Sequence, residues 1–287
     1  MNEKFLKAMF NSSKVPVIDF GLSDILQQAQ KLVGKLSISG VQPKLSVKLD
    51  KKQNMLIVVS EGGEYILKPQ TATFPHIPEN EQCCMDIAQE LDIEVPLHCV
   101  IPLKDKNLAY VVKRFDREKG NKVHQEDFAQ ILEANDKYRG SVEQIGSKLK
   151  EISAAPGYDA QLLFERVVLN FVLANGDAHL KNYSISYKED GIRLTPAYDI
   201  VCSRLAIPDE QEESAINING KKNRLSREDF DKLADYLNVP LKVRYEKVEG
   251  KLEVMKKRIK ASRFSKADQN KFLDIIKERL RRLGLSE

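Results

Sequence analysis

The chain has 287 residues, of which 42% are hydrophobic and 31% are charged, and its formal net charge is +4. This length exceeds what one hydrophobic core usually organises, so we expect two domains. The sequence has no long apolar run, which argues against a membrane protein. Its four cysteines have neither zinc-site nor disulfide-framework spacing, which argues against a disulfide-rich protein. We therefore predict a soluble, cytoplasmic chain with reduced, buried thiols.

The N-terminal part predicts a meander of β-strands. Apolar and polar residues alternate over 45–50, and two further apolar runs follow at 55–59 and 65–68, the last stopped by Pro69. The preceding segment, 34–40, contains two glycines and two serines. A loop of this composition can cover phosphates with its backbone N–H groups and hydroxyls.

A lysine at the end of the third predicted strand is followed by a predicted helix over 79–91. Pro78 and the acidic residues Glu79 and Glu81 suit the first turn of that helix. In kinases, a strand lysine paired with a helix glutamate holds the α- and β-phosphates of ATP. Lys68 and Glu81 are the candidates here, although a first-turn glutamate can also serve the helix dipole alone.

The next segments predict a strand and then a series of helices. The apolar run at 108–115 reads as a strand leading into a hinge, and 125–135 and 141–152 read as helices. Towards the C-terminus, 226–237 and 265–283 begin with Ser-x-x-Asp and read as helices. We expect this part to be helical apart from one hairpin.

The sequence NGDAHLKN at 175–182 predicts a phosphotransfer site. It follows an amphipathic pattern over 161–174 that predicts a helix, and it precedes a predicted hairpin over 183–194. A kinase needs one carboxylate that accepts the proton of the attacking hydroxyl, and an amide and a second carboxylate that hold Mg²⁺. Asp177, Asn182 and Asp199 supply these groups in chain order, and the hairpin would bring Asp199 beside Asn182.

The spacing alone is a weak signal. The same Asp-x4-Asn spacing occurs at Asp116 and Asn121. Asn, Gly and Asp are also the commonest turn residues, so an ordinary polar turn is the alternative interpretation. The surrounding helix, hairpin and second aspartate favour the catalytic interpretation.

Taken together, these elements predict an α+β protein with a two-lobed, protein-kinase-like fold. Residues 1–112 would form a small β-rich N-terminal lobe that carries the Ser/Gly loop and the ATP-binding lysine. Residues 113–287 would form a large α-helical C-terminal catalytic lobe.

Basic residues cluster in the last third of the chain. A solvated helix face is the commoner fate of such a cluster, and a surface for nucleic acid or an acidic protein is the alternative. We therefore expect DNA contact only indirectly, through a partner. The cluster comprises Lys256, Lys257, Arg258, Lys260, Arg263, Lys266, Lys277, Arg279, Arg281 and Arg282.

Several blocks in order resemble the motif set of the HipA-like serine/threonine kinase toxins. The resemblance runs from about residue 34 to residue 204 and is more specific than any single block. The blocks are SISGVQPK (37–44), ILKP (66–69), ENE (79–81), VVKRFDR (111–117), HQEDFAQ (124–130), NGDAHLKN (175–182) and PAYDIV (196–201).

This resemblance implies a toxin of a bacterial toxin–antitoxin system. Such a kinase uses ATP and Mg²⁺ to phosphorylate a serine of an aminoacyl-tRNA synthetase, which arrests translation. A HipB-like DNA-binding antitoxin is the implied partner. Autophosphorylation of a loop serine, here Ser37 or Ser39, is also implied, and its charge would repel the triphosphate.

The resemblance also implies roles for individual residues. Asp177 would be the catalytic base, with Lys181 beside it in catalysis, and Asn182 and Asp199 would bind Mg²⁺. Lys113 and Phe115 would offer hinge backbone to adenine. The remaining implied nucleotide-binding residues are Ser39, Gly40, Lys44, Lys68, Gln125 and His179.

The chain looks most like the shorter HipT kinases of three-component systems. It begins a few tens of residues before the loop and has the doublet Ser-Ile-Ser, so we expect a separate small HipS-like partner. Two alternatives remain open. One is a small-molecule or lipid kinase, which a Gly-Asp-x-His loop also resembles, and the other is a non-catalytic pseudokinase that acts as a corepressor.

Overall fold

A computed structural model describes residues 1–25, 42–118, 120–207 and 209–286. The described chain divides into two compact units, one formed by 1–82 with 96–117 and the other by 83–95 with 118–287. Ser37, Ser39 and Gly40 of the predicted phosphate loop lie outside the described residues. The lobe assignment at 112 and 113 stays a prediction.

The first unit contains helix α1 and a five-stranded sheet in the order β2-β1-β3-β5-β4. The pairs β1–β2, β1–β3, β3–β5 and β4–β5 are all antiparallel. The elements are α1 (Glu3–Phe10), β1 (Leu45–Asp50), β2 (Met55–Val58), β3 (Tyr65–Pro69), β4 (His98–Pro102) and β5 (Leu108–Lys113).

One face of this sheet and helix α1 share a hydrophobic core. Alternate residues of β1 are buried, as the apolar-polar alternation predicts. Met9 and Phe10 of α1 pack in the same cluster as Val47 and Leu67 of the sheet. The Tyr65 hydroxyl also donates to the carbonyl of Met9, at 2.9 Å, so the helix is anchored by a buried hydrogen bond.

The three strands and the helix predicted in this region are confirmed with small boundary shifts. Helix α2 spans Ile77–Glu90 and contributes residues to both units. Strand β3 includes Pro69, which was predicted to end it, and the strand predicted at 108–115 ends at Lys113. Strand β4 was not predicted, because its apolar run is short and ends in proline.

The second unit is mainly helical and contains a three-stranded antiparallel sheet in the order β10-β9-β8. A two-stranded ladder, β6 (Arg117–Glu118) with β7 (Asn121–Lys122), lies where the units join in sequence. The remaining elements are β8 (His124–Asp127), α3 (Phe128–Ile131), α4 (Val142–Ile152), α5 (Pro156–Val172), a 3₁₀ turn (Leu180–Asn182), β9 (Ser184–Lys188), β10 (Gly191–Leu194), α6 (Ser203–Ala206), α7 (Arg227–Leu237), a second 3₁₀ turn (Leu241–Val243), α8 (Leu252–Ala261) and α9 (Lys266–Arg282).

Helix α5 lies at the centre of the second unit and contacts α4, α7, α9 and β10. The sequence predicted it over 161–174, and it begins earlier because Pro156 at its first position has a backbone suited to a helix start. It ends at Val172, and Ala174 then adopts a left-handed backbone with φ of 52°. The chain turns out of the helix there and enters the predicted catalytic segment.

The helix predicted over 125–135 is wrong. His124–Asp127 forms strand β8, which pairs with β9, and only Phe128–Ile131 is helical. Asp127 caps this short helix through a reciprocal capping box with Gln130. The strand forms because it pairs with β9, about 60 residues away in sequence. A helical periodicity within 125–135 gives no information about such a distant partner.

The C-terminal helices were predicted more accurately than the segment before them. Ser226 and Ser265 precede α7 and α9 at the predicted capping positions. The region between α6 and α7 was expected to be helical, but within its described residues it contains turns and bridges instead. Glu213 in this region accepts hydrogen bonds from Arg282 of α9, so part of the basic cluster is structural.

All four cysteines are buried thiols, as predicted. In the ranges covered by the structure, no helix is both long and apolar enough to cross a bilayer.

Candidate active site

The segment after α5 is held in place by a buried serine. The Ser203 hydroxyl accepts from the backbone N–H of Gly176 and donates to the carbonyl of Ala174, both at 2.9 Å. A Cβ on Gly176 would lie 2.6 Å from the carbonyl oxygen of Glu212, so this position requires glycine. The segment 175–182 is therefore fixed by residues that follow it in sequence.

The variant Ser203→Ala is expected to lose about 1–3 kcal/mol of unfolding free energy, because the buried N–H of Gly176 would lose its partner. Urea denaturation followed by circular dichroism measures this. Ser147→Ala on the exposed face of α4 is the matched control, and we expect it to stay near the wild type. Equal stability of the two variants would contradict this role of Ser203.

Asn182 and Asp199 lie side by side, as the predicted hairpin required. The Asn182 amide nitrogen is 3.4 Å from the Asp199 carboxylate. Asp199 has a left-handed backbone with φ of 60°, a conformation that aspartate tolerates better than most residues. Tyr198 ties the two segments together, because its hydroxyl donates to the carbonyl of Lys181 at 2.9 Å.

Asp177 lies on the same segment and is exposed. The backbone N–H of His179 contacts both the Asp177 carbonyl, at 2.8 Å, and the Asn182 side-chain oxygen, at 2.9 Å. The charges of Asp177 and Asp199 both act on the His179 imidazole. The predicted base and the predicted metal ligands are thus gathered around one histidine.

The donor set of Asn182 and Asp199 fits Mg²⁺. Mg²⁺ prefers carboxylate and amide oxygens, and it is usually held by one or two carboxylates together with substrate phosphates and water. The Asn182 oxygen accepts one hydrogen bond and retains a second lone pair. Among the described residues, no group of three or more His, Cys, Asp and Glu side chains could hold a metal.

His179 is buried and contacts a lysine that the sequence did not single out. The Nζ atom of Lys137 lies 2.8 Å from Nε2 of His179. Burial lowers the pKa of His179, the charge of Asp177 opposes this shift, and the charge of Lys137 adds to it. Next to an ammonium group, Nε2 must accept, so the imidazole is neutral with its proton on Nδ1.

In the first unit, Lys68 and Glu81 form a buried ion pair. Lys68 Nζ lies 2.5 Å from Glu81 Oε1, and the two residues are 4% and 2% exposed. The Nζ atom also lies 5.5 Å from the centre of the Tyr110 ring. The predicted pairing of Lys68 with Glu81 is therefore confirmed, so this glutamate does more than serve the helix dipole.

The other predicted nucleotide-binding residues occupy different environments. Lys44 and Phe115 are half-buried in the first unit, and the Lys113 backbone N–H donates to the carbonyl of Leu97 at 2.8 Å. Gln125 lies on β8 opposite Ser186, and Lys181 is exposed. Their roles stay predictions.

Asp116, which shares the Asp-x4-Asn spacing, has a structural environment. It accepts from Arg114 at 2.9 and 2.6 Å and from Arg117 at 2.7 Å. Burial would raise the pKa of Asp116, but the hydrogen bonds and charges of these arginines hold it below its ordinary value. Its carboxylate is engaged by two arginines, whereas the Asp177 side chain is exposed.

Residues 36–263 match the family described as HipA-like C-terminal domain. The chain belongs to this family. It is homologous to the HipA serine/threonine kinase toxin. The matched region contains both Lys68 and the segment 175–182.

Two relatives of this HipA-like chain carry kinase names. A Sinorhizobium fredii protein named "Putative kinase Y4mE" is 33% identical over 209 residues, covering 69% of this chain and 49% of that protein. The Shewanella oneidensis serine/threonine-protein kinase toxin HipA is 26% identical over 190 residues, covering 58% of this chain and 43% of the toxin. The chain thus spans about half the length of these relatives.

The fold is also similar to a solved HipA structure. This chain matches a chain of the solved Shewanella oneidensis complex of HipA, HipB and operator DNA with a TM-score of 0.74 and 21% sequence identity. The match covers 93% of this chain and 72% of that chain. This likeness establishes a mixed α/β fold of the HipA type.

Sequence reasoning gave no role to three residues of this site: Lys137, Tyr138 and Ser203. They lie far along the chain from 175–182 and match no spacing rule. The polar dipeptide Lys137-Tyr138 precedes a glycine and a capping serine, which reads as an ordinary turn. Only the contacts across the fold reveal them.

Proposed function

We propose that this HipA-like chain is an ATP- and Mg²⁺-dependent protein serine/threonine kinase with a two-lobed kinase fold. The contact between Asn182 and Asp199, with the exposed Asp177 on the same segment, carries this proposal. An amide and a carboxylate at this separation suit a shared cation, and an exposed carboxylate beside them suits a base. The Lys68–Glu81 pair gives independent support.

In the proposed reaction, the acceptor hydroxyl oxygen forms a bond to the γ-phosphorus while the bond to the bridging oxygen of ADP breaks. Asp177 orients the hydroxyl and takes its proton, and Lys68 neutralises charge on the phosphates. When bound at Asn182 and Asp199, Mg²⁺ supplies further neutralisation of the phosphate oxygens. His179 stays neutral and holds the segment through its backbone N–H.

We further propose that the chain is a toxin of a toxin–antitoxin system. The HipA relative named above is a serine/threonine kinase toxin, and its solved complex contains HipB and operator DNA. By analogy, we assign a serine of an aminoacyl-tRNA synthetase as the target, and a HipB-like antitoxin and a HipS-like protein as partners. Ser37 and Ser39 are the proposed autophosphorylation sites, as in the HipT type.

The proposal is tested by incubating the full chain with γ-labelled ATP, Mg²⁺ and a bacterial lysate, followed by mass spectrometry of labelled products. A labelled synthetase serine, together with label on Ser37 or Ser39, is the expected result. Label only on a lipid or metabolite would instead support a small-molecule kinase. No label on any product, with retained antitoxin binding, would support the pseudokinase alternative.

A further inference from the structure

The turn 136–140 is docked against the catalytic segment. The backbone N–H of Leu180 donates to the carbonyl of Lys137 at 3.1 Å. The Asp136 carboxylate shapes the turn by accepting from the backbone N–H of Tyr138 at 2.9 Å. A Cβ on Gly140 would lie 3.1 Å from the side-chain carbons of Leu180, so the two segments approach closely. The position of Tyr138 is set by this docking.

Tyr138 makes a hydrogen bond to the predicted base. Its hydroxyl donates to Oδ1 of Asp177 at 3.0 Å. Its ring packs against the His179 imidazole in a T-shaped arrangement, with ring centres 5.4 Å apart, and Lys137 Nζ lies 4.8 Å from the centre of the Tyr138 ring. The residue is still 38% exposed, so an incoming group can reach it.

The Tyr138 hydroxyl keeps its proton near neutral pH and can therefore donate a hydrogen bond. Burial, the charge and hydrogen bond of Asp177, and the charges of Asp136 and Glu212 raise the pKa of Tyr138 to about 12. Its proton therefore points at the carboxylate throughout the neutral range. A phosphoacceptor needs the same kind of contact, because its hydroxyl must donate to the base before transfer.

We propose that Tyr138 is a specificity residue that occupies the acceptor-hydroxyl position on Asp177 until a protein acceptor displaces it. This inference rests on the proposed kinase function. A protein acceptor is bound by contacts remote from its hydroxyl, and this binding energy can displace the phenol. Water has no such contacts, so Tyr138 suppresses hydrolysis of ATP. In that reaction a water oxygen would form a bond to the γ-phosphorus while the bond to the bridging oxygen of ADP breaks, and the water would pass its proton to Asp177.

The test compares phosphate release from ATP and Mg²⁺, without any protein acceptor, in the wild type and in Tyr138→Phe. The phenylalanine keeps the ring packing and removes only the hydroxyl, so we expect release to rise about tenfold. Tyr236→Phe is the matched control, since Tyr236 is an exposed tyrosine on α7, and it should match the wild type. Unchanged or reduced release in Tyr138→Phe would overturn the inference.

A second measurement detects the contact without nucleotide. The full chain is labelled with ¹³Cζ-tyrosine, Tyr138→Phe identifies the Tyr138 signal, and its titration is followed by NMR. Asp177→Asn removes the facing charge, so the pKa of Tyr138 should fall towards its ordinary value. If the pKa of Tyr138 falls in Asp177→Asn but Tyr138→Phe releases phosphate at the wild-type rate, the contact exists but Tyr138 does not suppress hydrolysis, and the inference is rejected. If the pKa of Tyr138 falls in Asp177→Asn but the wild type neither hydrolyses ATP nor transfers its phosphate, the proposed kinase function is rejected instead.

Discussion

Asp177→Ala is expected to lower phosphotransfer by about a thousandfold or more, because it removes both the proton acceptor and its charge from the reacting hydroxyl. The carboxylate is exposed, and its side-chain contact with Tyr138 is at the surface. The free energy of unfolding should therefore change little. Rates are measured with γ-labelled ATP under single-turnover conditions, and stability by urea denaturation.

Asp190→Ala provides the control for this experiment. Asp190 lies in the exposed turn between β9 and β10 of the same unit, so the substitution removes a similar charge away from the predicted base. We expect wild-type rates from it. Transfer by Asp177→Ala at a rate close to that of Asp190→Ala would remove Asp177 from the mechanism.

Lys68→Met is expected to abolish measurable phosphotransfer and also to destabilise the first unit. The lysine and Glu81 are both buried, so removing one partner leaves a charge without its counterion. Such a change typically costs about 3–5 kcal/mol of unfolding free energy. The loss of activity follows from the missing charge on the ATP phosphates.

A double substitution separates these two effects. Lys68→Met combined with Glu81→Leu replaces the ion pair with apolar side chains, so most of the stability should return while activity stays lost. Lys104→Met is the control, since its pair with Asp19 is exposed and should contribute little to stability. Retained transfer in Lys68→Met would refute the ATP-binding role, and an equally unstable double variant would refute the ion-pair explanation.

The candidate site could be predicted where its residues lie close in sequence or on strongly patterned elements. Asp177 and Asn182 share one segment, and the hairpin that returns Asp199 has clear strand and turn signals. A strand end and a helix start indicated the pairing of Lys68 with Glu81, although a glutamate that serves only the helix dipole was the alternative. In each case a local pattern indicated which residues would meet.

The residues that support the site could not be found in this way. Ser203 contacts Gly176 from 27 positions away, and Tyr138 contacts Asp177 from 39. Arg279 and Arg282 looked like part of a solvated basic face, yet both lie against Glu213, and Arg279 is 2% exposed. A single sequence contains no periodicity that reports such contacts.

Local sequence was enough to predict the strand meander and the capped helices, because alternation, helical periodicity and capping act within a few residues. Tertiary structure decided that 124–127 is a strand, because β9 supplies its hydrogen-bonding partner. It also decided which side chains contact the segment 175–182. Those contacts join distant parts of the chain, and their free energy arises only when packing brings the partners together and removes them from water.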